Sequence, residues 1–417
     1  MDSGNVAWLL TAASLVLLMT PGLAFFYGGM SRSKSVLNMM MMSFGAMAVV
    51  GVGWILFGAS IAGGSGAYFG NPFADIGMQD LIAGGDAAAI ISAGFGATFA
   101  IITVALISGS IADRAKFGAW LVFATLWALL VYSPVAHWVW ALDGDGNGIG
   151  LLGGAGPIFN GGTAPLDLAG GTVVHINAGV AGLVLALILG VRRGFGKEPF
   201  RPHNLPFVML GAALLWFGWF GFNAGSAFAA DGLASTAWVN TTAATAAAIL
   251  GWLLVEKIRD GKPTSLGAAS GVVAGLVAIT PACGAVDPVG ALVIGLLAGV
   301  FSSLAVALKY KFGYDDSLDV VGVHLVAGLW GTLAIGLLAT EGAAGAFGAN
   351  GLFYGGGFAQ LGAQAIAAGV TIAYSAIATA IIGLAIKYTI GFRVSEDVEV
   401  SGIDLAEHGE TAYEEAK

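Results

Sequence analysis

Two histidines stand inside apolar runs in the same local frame, Val-His-x-x-Ala-Gly-x-x-Gly. The first copy runs from Val174 and His175 through Ala178 and Gly179 to Gly182; the second runs from Val323 and His324 through Ala327 and Gly328 to Gly331. Imidazole is costly to bury among hydrocarbon unless it faces a partner or an aqueous path, so two matched copies read as a functional pair. An imidazole both donates and accepts near neutral pH, which suits the pair to handing on a proton. A zinc site needs three or four donors, and no Cys, Asp or Glu falls at comparable depth beside either ring. Nucleophilic catalysis lacks a Ser, Cys or Thr set with a base and an orienting acid. Neither an enzyme nor a bound cofactor is expected.

The elements that must carry these rings follow from composition. Hydrophobic residues make up 57% of the 417 and charged residues only 10%, against about 25% charged in soluble domains. That excludes an ordinary globular protein and predicts an all-α polytopic membrane protein in contact with lipid; no nucleic-acid partner is expected. Glycine supplies 67 residues, which suits helices packed backbone to backbone. The single cysteine, Cys283, has no internal disulfide partner.

Apolar runs of about 17 to 25 residues give eleven expected spans, near 6–28, 36–62, 87–112, 117–139, 168–190, 205–228, 234–256, 264–283, 287–308, 319–340 and 361–390. Counted against them, all 16 Lys and Arg, from Arg32 to Lys417, fall on one side. Basic residues collect in cytoplasmic loops, so the N-terminus is expected outside and the C-terminus inside. The opposite loops carry Asp75, Asp80, Asp86, Asp143, Asp145, Asp231, Asp287 and Glu341 and no base. The insertion rule alone explains that face, and attraction of cations is a supplementary reading. No basic segment precedes the first apolar run, so it is read as a span and not as a cleaved signal.

The histidine frames fall in spans five and ten, so equivalent helices cross the bilayer in opposite directions. That predicts an inverted five-plus-five repeat, repeat one over about 6–190 and repeat two over about 205–340, with the eleventh helix over 361–390 outside it. His175 lies eight residues, roughly 12 Å, from Asp167, and His324 five residues, roughly 7.5 Å, past Asp319. Both rings then approach the middle from opposite ends and are expected to be neighbours. The domain division is a transmembrane part, 1–392, and an acidic tail, 393–417, read as a solvated terminus that a regulator could bind.

Longer stretches carry a family resemblance. Asp167-Leu-Ala-Gly-Gly-Thr-Val-Val-His175, Asp315-Asp-Ser-Leu-Asp319-Val-Val-Gly-Val-His324, Trp216 through Phe222 to Ser226, Pro21 to Met30, and Tyr132 through His137 to Trp140 resemble the ammonium transporter family (Amt/Mep/Rh), in its Amt branch, over residues 1 to about 393. The resemblance implies transport of ammonium or ammonia through one pore per subunit of a homotrimer in the inner (plasma) membrane. It matches Trp140 and Ser226 to an outer recruitment site, with Asp167 supporting it and Phe99 beside it. Phe99 and Phe222 match stacked rings closing the vestibule, and His175 and His324 the pore pair. In many relatives the tail region meets a PII signal protein, so one is an expected partner. Each residue also has a plainer reading: Trp140 in the aromatic belt, Phe99 and Phe222 in core packing, Ser226 bonded to its own helix, Asp167 as a helix N-cap. His137, His203 and His408 are expected to be ordinary. Alternatives to the transporter are an ammonium sensor, which a tail of roughly 25 residues disfavours because it cannot hold a signalling domain, and a passive NH3 or CO2 channel of the Rh type.

Overall fold

The structure, a computed structural model, describes residues 1–343 and 349–413. The last four residues of the expected tail, 414–417, Lys417 among them, lie outside the described residues. Among the described residues, ten helices are long and apolar enough to cross a membrane: α1 (Ser3–Met30), α2 (Val36–Gly63), α3 (Ala87–Ile111), α4 (Phe117–Trp140), α5 (Gly171–Leu189), α6 (Leu205–Gly225), α7 (Gly232–Arg259), α9 (Pro288–Phe312), α10 (Val321–Leu338) and α11 (Ala359–Thr389). Between α7 and α9 lies α8 (Ser265–Ile279), apolar but only 15 residues long. At 1.5 Å per residue it covers roughly 22 Å of a hydrocarbon layer about 30 Å thick. The run expected over 264–283 ends there because Thr280 to Gly284 form turns.

The helices begin where the sequence supplies caps. Asp86, Asn204, Asp231, Thr264 and Asp287 each accept a backbone N–H of the first turn of α3, α6, α7, α8 and α9. Packing is backbone to backbone, as the glycine content predicts. A Cβ at Gly22 of α1 would lie 3.0 Å from Leu214 Cβ of α6, and one at Gly275 of α8 would lie 2.8 Å from Thr245 Cα of α7. Small residues at these crossings replace the hydrophobic drive that helices lack in lipid. The packing is consistent with a pseudo-symmetric repeat.

The bases that follow α1, α3, α5 and α11 converge on one face. Arg192 bonds Asp113 at 3.0 Å and Asp315 at 2.9 Å, Arg32 Nε lies 3.5 Å from Asp113, and Arg114 lies 3.9 Å from Asp315. Arg192, Arg114, Asp113 and Asp315 are all buried. Burial alone would raise the Asp315 carboxyl, but the hydrogen bond and charge of Arg192, with the charge of Arg114, hold it below the usual carboxylate range.

The tail is not a solvated strand. It folds as α12 (Glu396–Ser401) and α13 (Ile403–His408) against this face, with Phe392, Glu399, Ile403 and Asp404 buried. Asp404 accepts the N–H groups of Leu37 and Asn38 at 3.0 and 2.8 Å, and so caps α2; Glu407 accepts the Phe117 N–H at 3.0 Å at the start of α4. His408 and Tyr413 add contacts to Asn38 and His203. Two of the acids that made this segment look solvated, Asp404 and Glu407, instead serve helix N-termini, where the dipole favours them.

Candidate pore and outer vestibule

Both histidines sit in π-helical first turns, His175 in Gly171–Ile176 and His324 in Val321–Leu325. The widened turn is set up by a carboxylate eight residues upstream of each ring. Asp167 Oδ1 accepts the N–H groups of Gly170 and Gly171, both at 2.7 Å, while Oδ2 accepts the Thr172 N–H at 2.8 Å and the Thr172 hydroxyl. Asp316 Oδ1 and Oδ2 accept the N–H groups of Val320 and Val321 at 3.1 and 2.7 Å. Gly170 (φ 116°) and Asp319 (φ 65°), five residues before each histidine, share the left-handed backbone that starts these turns. Such π segments are frequent at functional sites, where they re-aim side chains.

The two rings are neighbours: Nδ1 of His175 and Nδ1 of His324 lie 3.3 Å apart, with ring centroids at 5.5 Å. Both are buried. The glycines of the repeated frame explain how the helices come this close. Gly328 of α10 lies where a Cβ would be 2.8 Å from His175 Cβ, and Gly179 of α5 where a Cβ would be 2.5 Å from the Leu325 backbone nitrogen. Each helix thus places a side-chain-free patch against the other's histidine turn. Trp219 stacks on His175 at 5.5 Å and 15°, and its indole N–H is tied to the Thr280 hydroxyl at 2.8 Å, so the first ring is clamped on one face. Among the described residues the His175 Nε2 has no partner.

Above the pair, Phe222 lies 6.2 Å from His175 and is stacked on Phe99 at 4.0 Å and 14°. Phe99 in turn meets Trp140 edge to face at 6.0 Å. Beyond Phe99 opens a vestibule of about 540 Å³ bordered by Trp54, Phe99, Tyr132, Trp140, Asp167 and Ser226. The order from the vestibule inward is therefore Trp140, Phe99, Phe222, His175, His324. All seven residues singled out in the sequence fall on or beside this line.

Their bonding decides what each can offer. Trp140 donates its indole N–H to the Asp167 carbonyl at 2.9 Å, which fixes the ring while its face stays free. Ser226 donates its hydroxyl to the Phe222 carbonyl at 2.7 Å, so its oxygen lone pairs remain to accept. Asp167 has both carboxylate oxygens committed to α5, which supports its cap reading.

Several neighbours escaped the sequence reading. Trp219 lay inside a stretch carrying the family resemblance but has no feature that marks it as a clamp. Phe95, 4.7 Å from Phe99, and Trp54 and Tyr132 also border the vestibule. Trp54 and Tyr132 lie in two further π segments, Trp54–Gly58 and Ala128–Tyr132, for which sequence carries no signal. Asp316 was findable: it precedes His324 by the same eight residues that separate Asp167 from His175. His137 is placed structurally, with its ring nitrogens against the Ala62 and Gly66 carbonyls. Among the described residues no group of His, Cys, Asp or Glu is arranged to hold a metal.

Comparison with known proteins agrees with this geometry. The family model described as "Ammonium Transporter Family" matches residues 7–413. The chain is 58% identical to the ammonium transporter of Mycobacterium tuberculosis strain H37Rv, across 99% of this chain and 91% of that one. The crystal structure of Candida albicans Mep2 superimposes with a TM-score of 0.84 at 32% identity, covering 99% of this chain and 91% of that one. A structure described as "Sensor Amt Protein" gives a TM-score of 0.85 at 25% identity, over 97% and 98% of the two chains.

Proposed function

The chain belongs to the ammonium transporter family, and from that premise we propose how its own residues divide the work of moving ammonium across the membrane. It is a transporter and not an enzyme, with a twin-histidine pair and an aromatic recruitment cluster. In our reading, ammonium is recruited where the free face of Trp140, the lone pairs of Ser226 and the edge of Phe99 converge. A cation over an aromatic face gains about 0.5 to 2 kcal/mol, enough for weak selection from water. Asp167 acts by holding the α5 turn and the Trp140 carbonyl contact in place. Phe99 and Phe222 close the vestibule, so passage requires one or both rings to swing.

Transfer of the bare ion past those rings costs many times what the recruitment site returns. Ammonium therefore gives up a proton, NH3 crosses the apolar stretch, and His175 and His324 carry the proton as a relay. Net movement is electrogenic. The observation that supports this most directly is the 3.3 Å separation of the two Nδ1 atoms: one neutral ring donates to the other, leaving a single chain of donors and acceptors through the narrowest part. The test is solid-supported-membrane electrophysiology on liposomes with ammonium, methylammonium and potassium. Ammonium currents without potassium currents support it, and wild-type currents after replacement of both histidines by leucine overturn the relay.

The architecture we propose around this pore is eleven spans, with α8 and its flanking turns as the eighth, built as a five-plus-five inverted repeat with α11 outside it. The convergence of bases on one face supports a cytoplasmic assignment for that face and an outer N-terminus, and the likeness to bacterial ammonium transporters supports an inner (plasma) membrane location. Residues 1–392 form the transport domain and 393–417 a cytoplasmic segment. A homotrimer, and a PII signal protein bound at the cytoplasmic face, follow from the family; crosslinking of the purified protein and a pull-down with each nucleotide state of PII test them.

A further inference from the structure

On the basic face, away from the pore, a cavity of about 290 Å³ opens between the α1–α2 turn, the segment before α6 and the turn joining α12 to α13. Arg32, Lys34 and Arg201 line it, with Ser33 and Ser35. Like charges brought together around so small a space repel unless a counter-charge sits between them. The one carboxylate on its wall is Glu399, and that group is already engaged: Oε1 accepts the Arg193 N–H at 2.7 Å and Oε2 the Arg393 guanidinium at 2.6 Å. Among the described residues Lys34 and Arg201 have no ion-pair partner. Arg32 is partly engaged: it donates to the Glu399 and Asp113 carbonyls at 3.1 and 3.4 Å, and its Nε lies 3.5 Å from the Asp113 carboxylate.

A second observation is independent of charge. Ser35 stands at the start of α2, where a serine ordinarily caps the first turn. It is 2% exposed, and among the described residues its hydroxyl has no hydrogen-bond partner. The capping position is taken by Asp404 of the tail, which holds the Leu37 and Asn38 N–H groups. Ser35 is a wall residue of the cavity, and its hydroxyl lies buried with nothing to bond among the described residues, a situation folded proteins avoid unless something else satisfies it. His203 is a wall and not a ligand, since its ring nitrogens face the Ser31 carbonyl and the Tyr413 hydroxyl.

We propose that this cavity binds one phosphate group, either free orthophosphate or the phosphomonoester head of an anionic lipid. Guanidinium groups match phosphate oxygens with paired donors, the lysine adds a point charge, and the serine hydroxyls bond the remaining oxygens. The volume of about 290 Å³ admits a phosphate together with part of its hydration shell. Gly402 of the tail packs on Lys34, where a Cβ would lie 2.8 Å from the Lys34 carbonyl oxygen. A phosphate held between Lys34, Arg201 and Arg32 therefore ties the α1–α2 turn to the segment before α6 underneath the docked tail.

The experiment uses the full-length protein and reads binding alone, so its outcome is separate from that of the transport mechanism. One arm measures orthophosphate by isothermal titration calorimetry at matched ionic strength against chloride. The other measures phosphatidic acid retained from phosphatidylcholine nanodiscs by native mass spectrometry. Saturable binding in the first arm assigns the free anion, and retention in the second alone assigns the lipid head. In whichever arm binds, Lys34→Ala with Arg201→Ala weakens it tenfold or more and Ser35→Ala several-fold, while Lys262→Ala leaves it unchanged. Lys34 and Arg201 are exposed, so their removal leaves the core intact; if that double variant fails to fold, Ser35→Ala alone decides. No saturable binding in either arm, or an equal loss in Lys262→Ala, overturns the proposal.

Discussion

His175 and His324 face each other through like atoms, Nδ1 to Nδ1, at 3.3 Å. Two neutral imidazoles in this arrangement hold one proton between them, so the tautomer of either ring fixes the tautomer of the other. Each outward Nε2 then carries the opposite role, donor at one end of the pair and acceptor at the other. The pair has a direction, and reversing it requires a proton to pass.

With both rings replaced, His175→Leu and His324→Leu, the hydrogen-bonded path is gone and the pore is wholly apolar. The ammonium-evoked current in liposomes is expected to fall at least tenfold, read by solid-supported-membrane electrophysiology.

The glycines of the repeated frame give a sharper test of packing. A Cβ at Gly328 meets His175 Cβ at 2.8 Å, whereas one at Gly362 of α11 meets nothing within 4 Å. Gly328→Ala is expected to cost about 1 to 3 kcal/mol by overpacking and to lower current several-fold. Gly362→Ala should be neutral, or stabilising by up to about 1 kcal/mol through helix propensity. Thermal melting and current, measured together on both variants, check this.

Asp167→Asn is less conservative than its shape suggests. Both carboxylate oxygens accept, and an amide would turn its NH2 toward either the Gly170 and Gly171 N–H groups or the Thr172 donors. Loss of those bonds is expected to cost about 1 to 3 kcal/mol. Adding Thr172→Ala to Asp167→Asn removes one of the opposed donors, and part of the melting temperature should return.

Burial pushes the Asp316 carboxyl up to about 6, against the pull of Lys309 and with the push of Asp319. Since its ordinary value is 3.8, the folded state binds the proton more tightly. The corresponding stability is full below that value and is lost as pH rises through about 6, by about 3 kcal/mol at 1.36 kcal/mol per unit. Melting curves of wild type and Asp316→Asn between pH 4 and 7 should show the wild type losing ground to the variant as pH rises.

Asp404→Ala removes the cap that the tail supplies to α2, at an expected cost of about 0.5 to 2 kcal/mol. Limited proteolysis should then cut after Arg393 faster than in wild type, with the helices of the transport domain left whole.

Much of this was legible in the chain before its coordinates. Hydropathy and the run of bases located ten of the long helices to within a few residues, because lipid imposes length and the insertion rule imposes charge. The paired frames around His175 and His324 located the pore because a buried imidazole has few reasons to exist twice. What escaped was local hydrogen-bond geometry. The 15-residue α8 hides within a longer apolar run, since hydropathy does not register the turns after Ile279. The π turns at Trp54, Tyr132, His175 and His324 depend on which carbonyl each N–H selects, which residue types do not specify. The docked tail was missed for a similar reason: Asp404, Glu399 and Glu407 look solvated until the helix ends and guanidiniums they serve are in view.

The reciprocal fit of Gly328 against His175, and of Gly179 against Leu325, bears on how the chain is made. The wall opposite the first histidine is encoded some 150 residues later than the histidine itself, so a ribosome that has delivered α5 has inserted a ring with no seat. The amino-terminal half, released early, would cross the bilayer yet leave its conduit unassembled. Completion of the passage is thus timed to the arrival of α10.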